Sequence, residues 1–361
     1  MVTKRILWSL LTLLVGALSG CSGCASYRRC SSPPEARIGE LPARLSQTGL
    51  FREGSVDTLG PALRAYAPQY ALWSDGATKR RWLSLPEGSR IDTSDMDDWL
   101  FPVGTKFWKE FSLRGRRVET RLLVKVGPRA VDWAGAAYVW DADQRDARLM
   151  AQGRKDVDGS GYNVPSAAEC AACHGGRRSH VLGFSALQLS ASELPLSLSA
   201  LTREELITRA PARSPILPGD EREQAALGYL HANCGHCHNS ARPPRGDGPR
   251  CYDPERSIDL WLPSTARATN TMSALADDLW PSALRTTVPR YVTPGAPQDS
   301  RLLTLVARRG LRLHMPPLGS RRVDPDGVRL LTEWIASLPP PNAQRDRGST
   351  RAASSDARST P

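Results

Sequence analysis

The stretch "HANCGHCHNS", residues 231 to 240, contains three histidines and two cysteines within its first eight positions. Its centre, Cys234 to His238, is a C-x-x-C-H motif, and a second copy, "CAACH", lies at residues 170 to 174. Three kinds of site use such clusters: structural zinc, a redox-active dithiol and covalently attached haem. The interpretation of the chain depends on which of these the two motifs serve.

The shared histidine favours haem. Two thiols three positions apart can add to the two vinyl groups of a haem, and the histidine that follows binds the iron. A redox dithiol does not need this histidine. A zinc site needs four converging ligands, and the second motif together with its neighbouring histidines can supply them, so zinc stays an alternative there. The pattern therefore predicts two haem c groups, attached through Cys170, Cys173, Cys234 and Cys237, with His174 and His238 as axial ligands.

A distal ligand for the second haem is predicted in "LHMPPLG", residues 313 to 319. Met315 precedes two prolines between two predicted helices, so its thioether can face the iron, and His314 is a rival. For the first haem the sequence leaves several options, because no methionine lies between the two motifs. The candidates are His231, His180 and Met150, and an iron without a sixth protein ligand is the remaining option.

The N-terminus predicts export. Lys4 and Arg5 precede an apolar run over residues 6 to 17, and "LSGC" ends at Cys21, the pattern of a signal peptide with a lipidated cysteine. We therefore expect a protein anchored by lipid at the outer membrane and facing the periplasm. Oxidising conditions favour disulfides there, but Cys24, Cys30 and Cys251 are odd in number and cannot all pair within the chain.

The net charge of +11 comes mainly from arginine, which is spread along the whole chain. A basic protein can bind nucleic acid, anionic surfaces or acidic proteins, and export makes nucleic acid an unsuitable partner. The charge is interpreted as a solvated surface that can dock redox proteins of the cell envelope, with a dehydrogenase as one such partner. Within it, "SDGATKRR", residues 74 to 81, predicts an exposed charged turn, with an anion site as the alternative.

The patterning divides the chain into a strand-rich part and a helical part. "GTKFWKEFSL", "RRVETRLLVKVG" and "WAGAAYVWDAD" alternate apolar and polar residues and predict strands of a sandwich or barrel-like module. Helices are predicted from "DEREQAALGYLHANC" with Asp220 as N-cap, from "DSRLLTLVARRG" ending at Gly310, and from "DPDGVRLLTEWIASLPPP".

The fold class is therefore α+β multidomain, a mostly-β module followed by an all-α domain. The expected divisions are a signal peptide at 1–21, a tether at 22–37, the β module at 38–165, a first haem segment at 166–217, a helical domain at 218–340 and a disordered tail at 341–361.

Residues 218 to 340 resemble a class I cytochrome c domain, with a helix running into C-x-x-C-H, a middle helix, an "MPP" loop and an aromatic-bearing last helix. The resemblance implies that the two terminal helices cross; helical spacing places Ala226, Leu230, Leu331 and Trp334 there. Over residues 45 to 338 the chain is similar to a largely uncharacterised family of exported bacterial haem proteins. The segments that carry this similarity include "LSQTGLF", "YALWSDGATKRRWLSLPEGSRI", "FPVGTKFWKEF", "YVWDADQRDARLM", "VPSAAECAACH" and "LHANCGHCHN".

These observations predict a periplasmic electron carrier rather than an enzyme. Two alternatives remain open. One is a dihaem peroxidase, or the electron-accepting subunit of a dehydrogenase for a sugar or another small molecule. The other is a β module that binds a carbohydrate or a partner protein and uses the cytochrome domain as its electron outlet.

Overall fold

The computed structural model describes residues 38–241, 259–264, 291–310 and 314–339. Their strands form one six-stranded antiparallel sheet in sequence order. The strands are β1 (Arg64–Ala65), β2 (Thr78–Ser84), β3 (Lys106–Leu113), β4 (Arg116–Lys125), β5 (Trp133–Trp140) and β6 (Ala147–Leu149). The three segments with alternating patterns lie in β3, β4 and β5.

The turn between β3 and β4 follows from its two residues. Arg114 and Gly115 have φ angles of 49° and 79°. Two successive positive φ values are what a type I′ hairpin turn requires, and glycine accepts the second of them without steric cost. This turn sets the pairing of β3 with β4.

Both faces of the sheet are covered by other segments of the chain. One face carries Trp82 and Trp108 and packs against Leu41, Leu45 and Leu50 from the N-terminal segment. On the other face, Leu83 and Phe107 pack against buried residues between Val181 and Ile207. The sandwich or barrel prediction is therefore wrong for the described residues: irregular segments and short helices supply the second layer, not another sheet.

The longer helices are α1 (Ala167–His174), α2 (Leu198–Arg203), α3 (Glu221–Leu230), α4 (Arg301–Val306) and α5 (Pro325–Ser337). Single 3₁₀ turns occur at Ile38–Glu40, Leu45–Gln47, Val157–Gly159, Leu187–Leu189 and Pro297–Asp299. No helix in the described ranges is both long and apolar enough to cross a membrane.

Side-chain caps explain where four of the five helices begin. At α2, the Ser197 hydroxyl accepts the Ala200 N–H at 3.2 Å. Ser166 and Glu169 form a reciprocal capping box at α1. Asp220 accepts the Glu223 N–H at 2.9 Å, which confirms the predicted N-cap of α3, and Asp324 accepts the Gly327 N–H at 3.1 Å at α5. Each such cap satisfies an amide that the helix itself leaves without an acceptor and contributes about 1 kcal/mol.

The middle helix is shorter than its sequence predicts. It ends at Val306 rather than near Gly310. The Arg309 guanidinium donates to the Val306 carbonyl at 3.1 Å and to the Met315 carbonyl at 2.9 Å. A side chain thus takes the place of the next helical turn and turns the chain towards Met315.

The helices α3, α4 and α5 surround a second core. The four side chains expected at a helix crossing, Ala226, Leu230, Leu331 and Trp334, are all buried in it. The helices α3 and α5 approach so closely at Gly327 that a Cβ atom there would lie 2.3 Å from the Tyr229 hydroxyl oxygen. The first half of the chain also reaches this region, since a Cβ on Gly228 would lie 2.0 Å from the Tyr70 ring.

Candidate functional site

The first motif occupies the end of α1. Cys170 and His174 lie four positions apart on this helix and Cys173 lies between them, so all three side chains share one side of its last turns. Lysine and arginine side chains of the sheet act on Cys170 electrostatically. The side chains of the motif therefore lie on the side of α1 that is near the sheet.

The second motif follows α3 through a different backbone. The helix widens into one π-helical turn at His231–Gly235, which carries Cys234, and the His238 amide closes the motif by donating to the Cys234 carbonyl at 2.9 Å. Gly235 has no space for a side chain, because a Cβ there would lie 2.7 Å from the Leu260 carbonyl oxygen. Such π-helical turns are frequent at functional sites.

The two motifs meet in the folded chain. A hydrogen bond between the Cys173 and Cys237 thiols, followed by burial, raises the pKa of Cys173 well above its ordinary value. Burial raises the pKa of Cys170 to about 11 and that of Cys234 to about 12. Cys170 and Cys234 retain some exposed surface, yet loss of hydration dominates the pKa of each, so they face the interior rather than the outer surface.

The direction of these pKa shifts bears on the chemistry that the thiols can support. Redox-active dithiols have a lowered thiol pKa, whereas these thiols have a raised one. In the part of the chain that the structure describes, no group of three or more histidine, cysteine or acidic side chains could hold a metal ion. Thioether formation needs neither a lowered pKa nor four converging ligands.

The imidazole of His174 is held in one orientation. Its Nδ1 atom lies 2.5 Å from the carbonyl oxygen of His180. Because a carbonyl oxygen only accepts, the proton lies on Nδ1 and the lone pair of Nε2 is left for a metal. Burial, followed by the charge of Lys109, lowers the pKa of His174 well below its ordinary value, so the ring is neutral as an iron ligand requires.

His231 is engaged in a structural contact. It is 2 % exposed, its ring lies 4.4 Å from that of Trp261, and its Nδ1 accepts the Leu262 N–H at 3.0 Å. Burial lowers its pKa to about 3, so the ring is neutral and carries its proton on Nε2. The contact ties the end of α3 to residues 259–264.

Met315 and Cys234 border the same hydrophobic core, which brings the predicted distal ligand to the region of the second motif. Met315 is half-buried and its backbone is held at both ends: its N–H donates to the Leu305 carbonyl at 3.0 Å, and its carbonyl accepts from Arg309. His314 is also half-buried beside it.

A contact that sequence reasoning missed joins the sheet to this loop. Asp75 was expected in an exposed turn, but it is 4 % exposed. Its carboxylate accepts hydrogen bonds from the Ser320 hydroxyl and from the Arg321 and Arg322 amides, each at 2.9 Å. The only local signal was the polar pair Ser74 and Asp75 before Gly76, which also fits an ordinary turn.

The same segment also holds α3. The Trp73 N–H donates to the Asn233 side-chain oxygen at 2.7 Å, and the Asn233 amide group donates to the Ala71 carbonyl at 3.1 Å. The Trp73 indole N–H donates to the Arg322 carbonyl at 3.0 Å. Residues 70 to 76, which we call the strap, therefore link the helix before the second motif to the loop after Met315.

No family model, curated protein or solved structure matches the chain. The donor set suits haem c: two pairs of thiols, each followed by a histidine, with the His174 ring oriented and neutral. Cys21, Cys24, Cys30 and Cys251, together with the predicted signal peptide, tether and tail, lie outside the described residues.

Proposed function

We propose that this protein is an exported, lipid-anchored cytochrome that carries two haem c groups and transfers single electrons between redox proteins of the cell envelope. The observation that carries the proposal is the contact between Cys173 and Cys237, which brings two C-x-x-C-H motifs together from distant parts of the chain. A single motif could arise by chance, but two that fold against each other point to one shared function.

Each motif has a defined part in this proposal. Cys170 and Cys173 bind the first haem and Cys234 and Cys237 the second, with His174 and His238 on the irons. Haem supplies reversible one-electron chemistry. The protein holds the haems and sets their reduction potentials through the axial ligands, nearby charges and burial.

For the second haem we propose Met315 as the distal ligand. Hydrogen bonds to its backbone N–H and to its carbonyl oxygen hold the Met315 backbone. Its side chain borders the same core as Cys234. A thioether is a softer ligand than imidazole, so it favours the reduced iron and gives a higher potential than a second histidine would.

For the first haem, the geometry disfavours two of the three candidates. The His180 carbonyl binds Nδ1 of His174, the ring atom that points away from a metal on Nε2, so His180 lies behind the proximal histidine. The Nε2 atom of His231 carries a proton in the tautomer that accepts the Leu262 N–H. Of the sequence candidates, Met150 remains, as does an iron without a sixth protein ligand.

That last possibility keeps an enzyme as the second candidate function. An iron with an open position can bind peroxide or a small substrate, as the peroxidase alternative requires. Electron paramagnetic resonance separates the two functions. Two low-spin ferric signals support the carrier, whereas one high-spin signal with peroxide turnover supports the enzyme.

The carbohydrate-binding alternative receives less support. A cleft of about 670 Å³ lies in the β module, lined in part by Phe51, Lys106 and Trp108, and no residue of either motif borders it. Sugars stack on exposed aromatic faces, but Trp108 is 1 % exposed and Phe51 is 6 % exposed. The cleft therefore offers no aromatic platform for a sugar ring.

The test is the haem content of the mature protein, produced in a host that attaches haem c. Pyridine haemochrome analysis should give two haems per chain, and the variants C170S/C173S and C234S/C237S should give one each. Mass spectrometry should show the same masses, together with a lipid on Cys21. Less than one haem per wild-type chain would refute the proposal.

A further inference from the structure

Three basic side chains form a row across the middle of the sheet. Arg81 of β2 is directly opposite Lys109 of β3, and Lys109 is directly opposite Arg121 of β4. Directly opposed residues of neighbouring strands point to the same face, and adjacent strands lie about 4.8 Å apart, so the row spans about 10 Å of backbone. We call these three residues the cation row.

The row carries more positive charge than the strands around it can neutralise. Lys79 and Glu119 lie on the same face, two positions before Arg81 and Arg121. The centre of this face therefore holds four basic side chains and one carboxylate. Burial, followed by the charge of Arg81, lowers the pKa of Lys79 to about 7 and that of Lys109 well below its ordinary value, so the two arginines are its permanent charges. Like charges directly opposite each other destabilise a sheet, and taking them out of water adds a further penalty.

The three members of the row differ in their partners. Arg121 is paired with Glu119 at 2.6 Å, and the Lys109 ammonium donates to the Leu182 carbonyl at 2.8 Å. Within the described residues, the half-buried Arg81 guanidinium has neither an ion pair nor a hydrogen bond. Its neighbour Tyr66 cannot compensate the charge, because burial raises the pKa of that phenol and keeps it neutral.

The row begins beside the first C-x-x-C-H motif. The charges of Arg121 and Lys109 both act on the Cys170 thiol, and Lys109 also acts on His174. Arg81 lies at the other end, one strand further from this thiol than Lys109. A molecule attached at Cys170 and extending over the sheet would therefore meet the unpaired guanidinium away from its point of attachment.

We propose that the cation row is a carboxylate-binding site that receives the propionate groups of the haem attached at Cys170 and Cys173, with Arg81 as its principal residue. The inference rests on the proposed function. Haem c has two carboxylates on the edge opposite its thioether bonds, and arginine is the side chain best suited to bind a carboxylate through two parallel hydrogen bonds. The β module is then part of the haem site, not a separate domain.

The adjacent arginine provides a matched control. Arg80 lies on the opposite face of β2, is 66 % exposed, and donates to one carboxylate oxygen of Glu110 at 2.7 Å. Arg80→Gln and Arg81→Gln remove the same charge one position apart, but only Arg81 belongs to the cation row. Arg81→Lys keeps the charge and removes the paired geometry.

The experiment is a redox titration of the purified holoprotein, preceded by a haem count. A positive charge near a haem favours the reduced state, so Arg81→Gln should lower the potential of one haem or cause the loss of that haem while far-ultraviolet circular dichroism stays unchanged. Arg81→Lys should give a smaller shift, and Arg80→Gln should keep both haems and both potentials.

Two haems with the same potentials in Arg81→Gln as in Arg80→Gln would overturn the inference. If Arg81→Gln fails to fold, the redox titration of Arg81→Lys decides. Reduction potentials equal to those of the wild type in Arg81→Lys would then refute the carboxylate-binding site. A wild-type protein without haem at Cys170 and Cys173 would instead refute the proposed function, which the haem count detects before any variant is compared.

Discussion

The carboxylate of Asp75 accepts a hydrogen bond from the Ser320 hydroxyl at 2.9 Å and thereby joins the turn before β2 to the loop after Met315. Arg309 extends this contact, since it donates to the Ser320 hydroxyl at 3.3 Å and to the Met315 carbonyl at 2.9 Å. A continuous network of side chains therefore runs from the strap to the backbone of the predicted iron ligand. A buried, charged acceptor with several donors restricts the loop to one position.

Replacing Asp75 with alanine should loosen the Met315 loop. The loss of a charged acceptor leaves two amides without their partner and leaves the Ser320 hydroxyl with only the Arg322 carbonyl as acceptor, so we expect the free energy of unfolding to fall by about 2 to 3 kcal/mol. Amide hydrogen exchange should rise at Arg321 and Arg322. Asp75 has a φ of 54°, which asparagine tolerates, so Asp75→Asn should have a smaller effect.

The control for this variant is Asp143→Ala, which removes an exposed carboxylate whose ion pair is with Arg145. It should leave stability and exchange unchanged. Equal protection of Arg321 and Arg322 in the wild type and in Asp75→Ala would show that the network does not hold the loop. The unfolding and hydrogen-exchange measurements test this network whether or not the proposed haem ligands are correct.

Replacing Met315 with alanine tests the distal ligand of the second haem. We expect the near-infrared band between methionine sulfur and ferric iron to disappear and the reduction potential of one haem to fall, because a soft ligand is lost. His314→Ala changes the adjacent residue and should keep the band. An unchanged spectrum in Met315→Ala would show that another residue binds the iron.

His231 should prove structural. In His231→Leu the buried amide of Leu262 loses its acceptor, so we expect the free energy of unfolding to fall by about 1 to 3 kcal/mol. The visible spectrum and the spin states of both haems should not change. Conversion of one haem from low spin to high spin in this variant would identify His231 as a ligand after all.

Lys79 should make stability depend on pH. Burial, followed by the charges of Arg81 and Arg121, lowers its pKa to about 7, whereas Asp324 acts in the opposite direction. Below pH 7 the folded and unfolded chains both carry the proton, and the penalty of burying this charge is fully present. Between pH 7 and about 10.5 the unfolded chain binds more protons than the folded chain, so stability rises with pH.

The contribution of Lys79 to this slope is at most about 1.4 kcal/mol per pH unit. Urea denaturation at several pH values measures it, and Lys79→Met should lack this part of the slope. The exposed Lys155 provides the control, since Lys155→Met should follow the wild type. Identical slopes in wild type and Lys79→Met would contradict the prediction.

Local features of this protein could be predicted because they depend on neighbouring residues. The strand pattern of residues 104 to 113 and the Asp220 cap act within one element, and the structure contains both. The shortened middle helix could not be predicted, because Arg309 caps Val306 and also reaches Met315, and the second contact depends on the folded loop.

The sequence by itself determined the chemistry that is available: two C-x-x-C-H motifs, a methionine before two prolines and an excess of arginine. Only the tertiary structure decided which of these groups come into contact. It brings Cys173 to Cys237, turns the His174 nitrogen to the His180 carbonyl, commits His231 to Leu262 and aligns Arg81 with Lys109 and Arg121. The reason is physical: covalent spacing sets which atoms a motif offers, whereas strand register and helix packing set which of them meet.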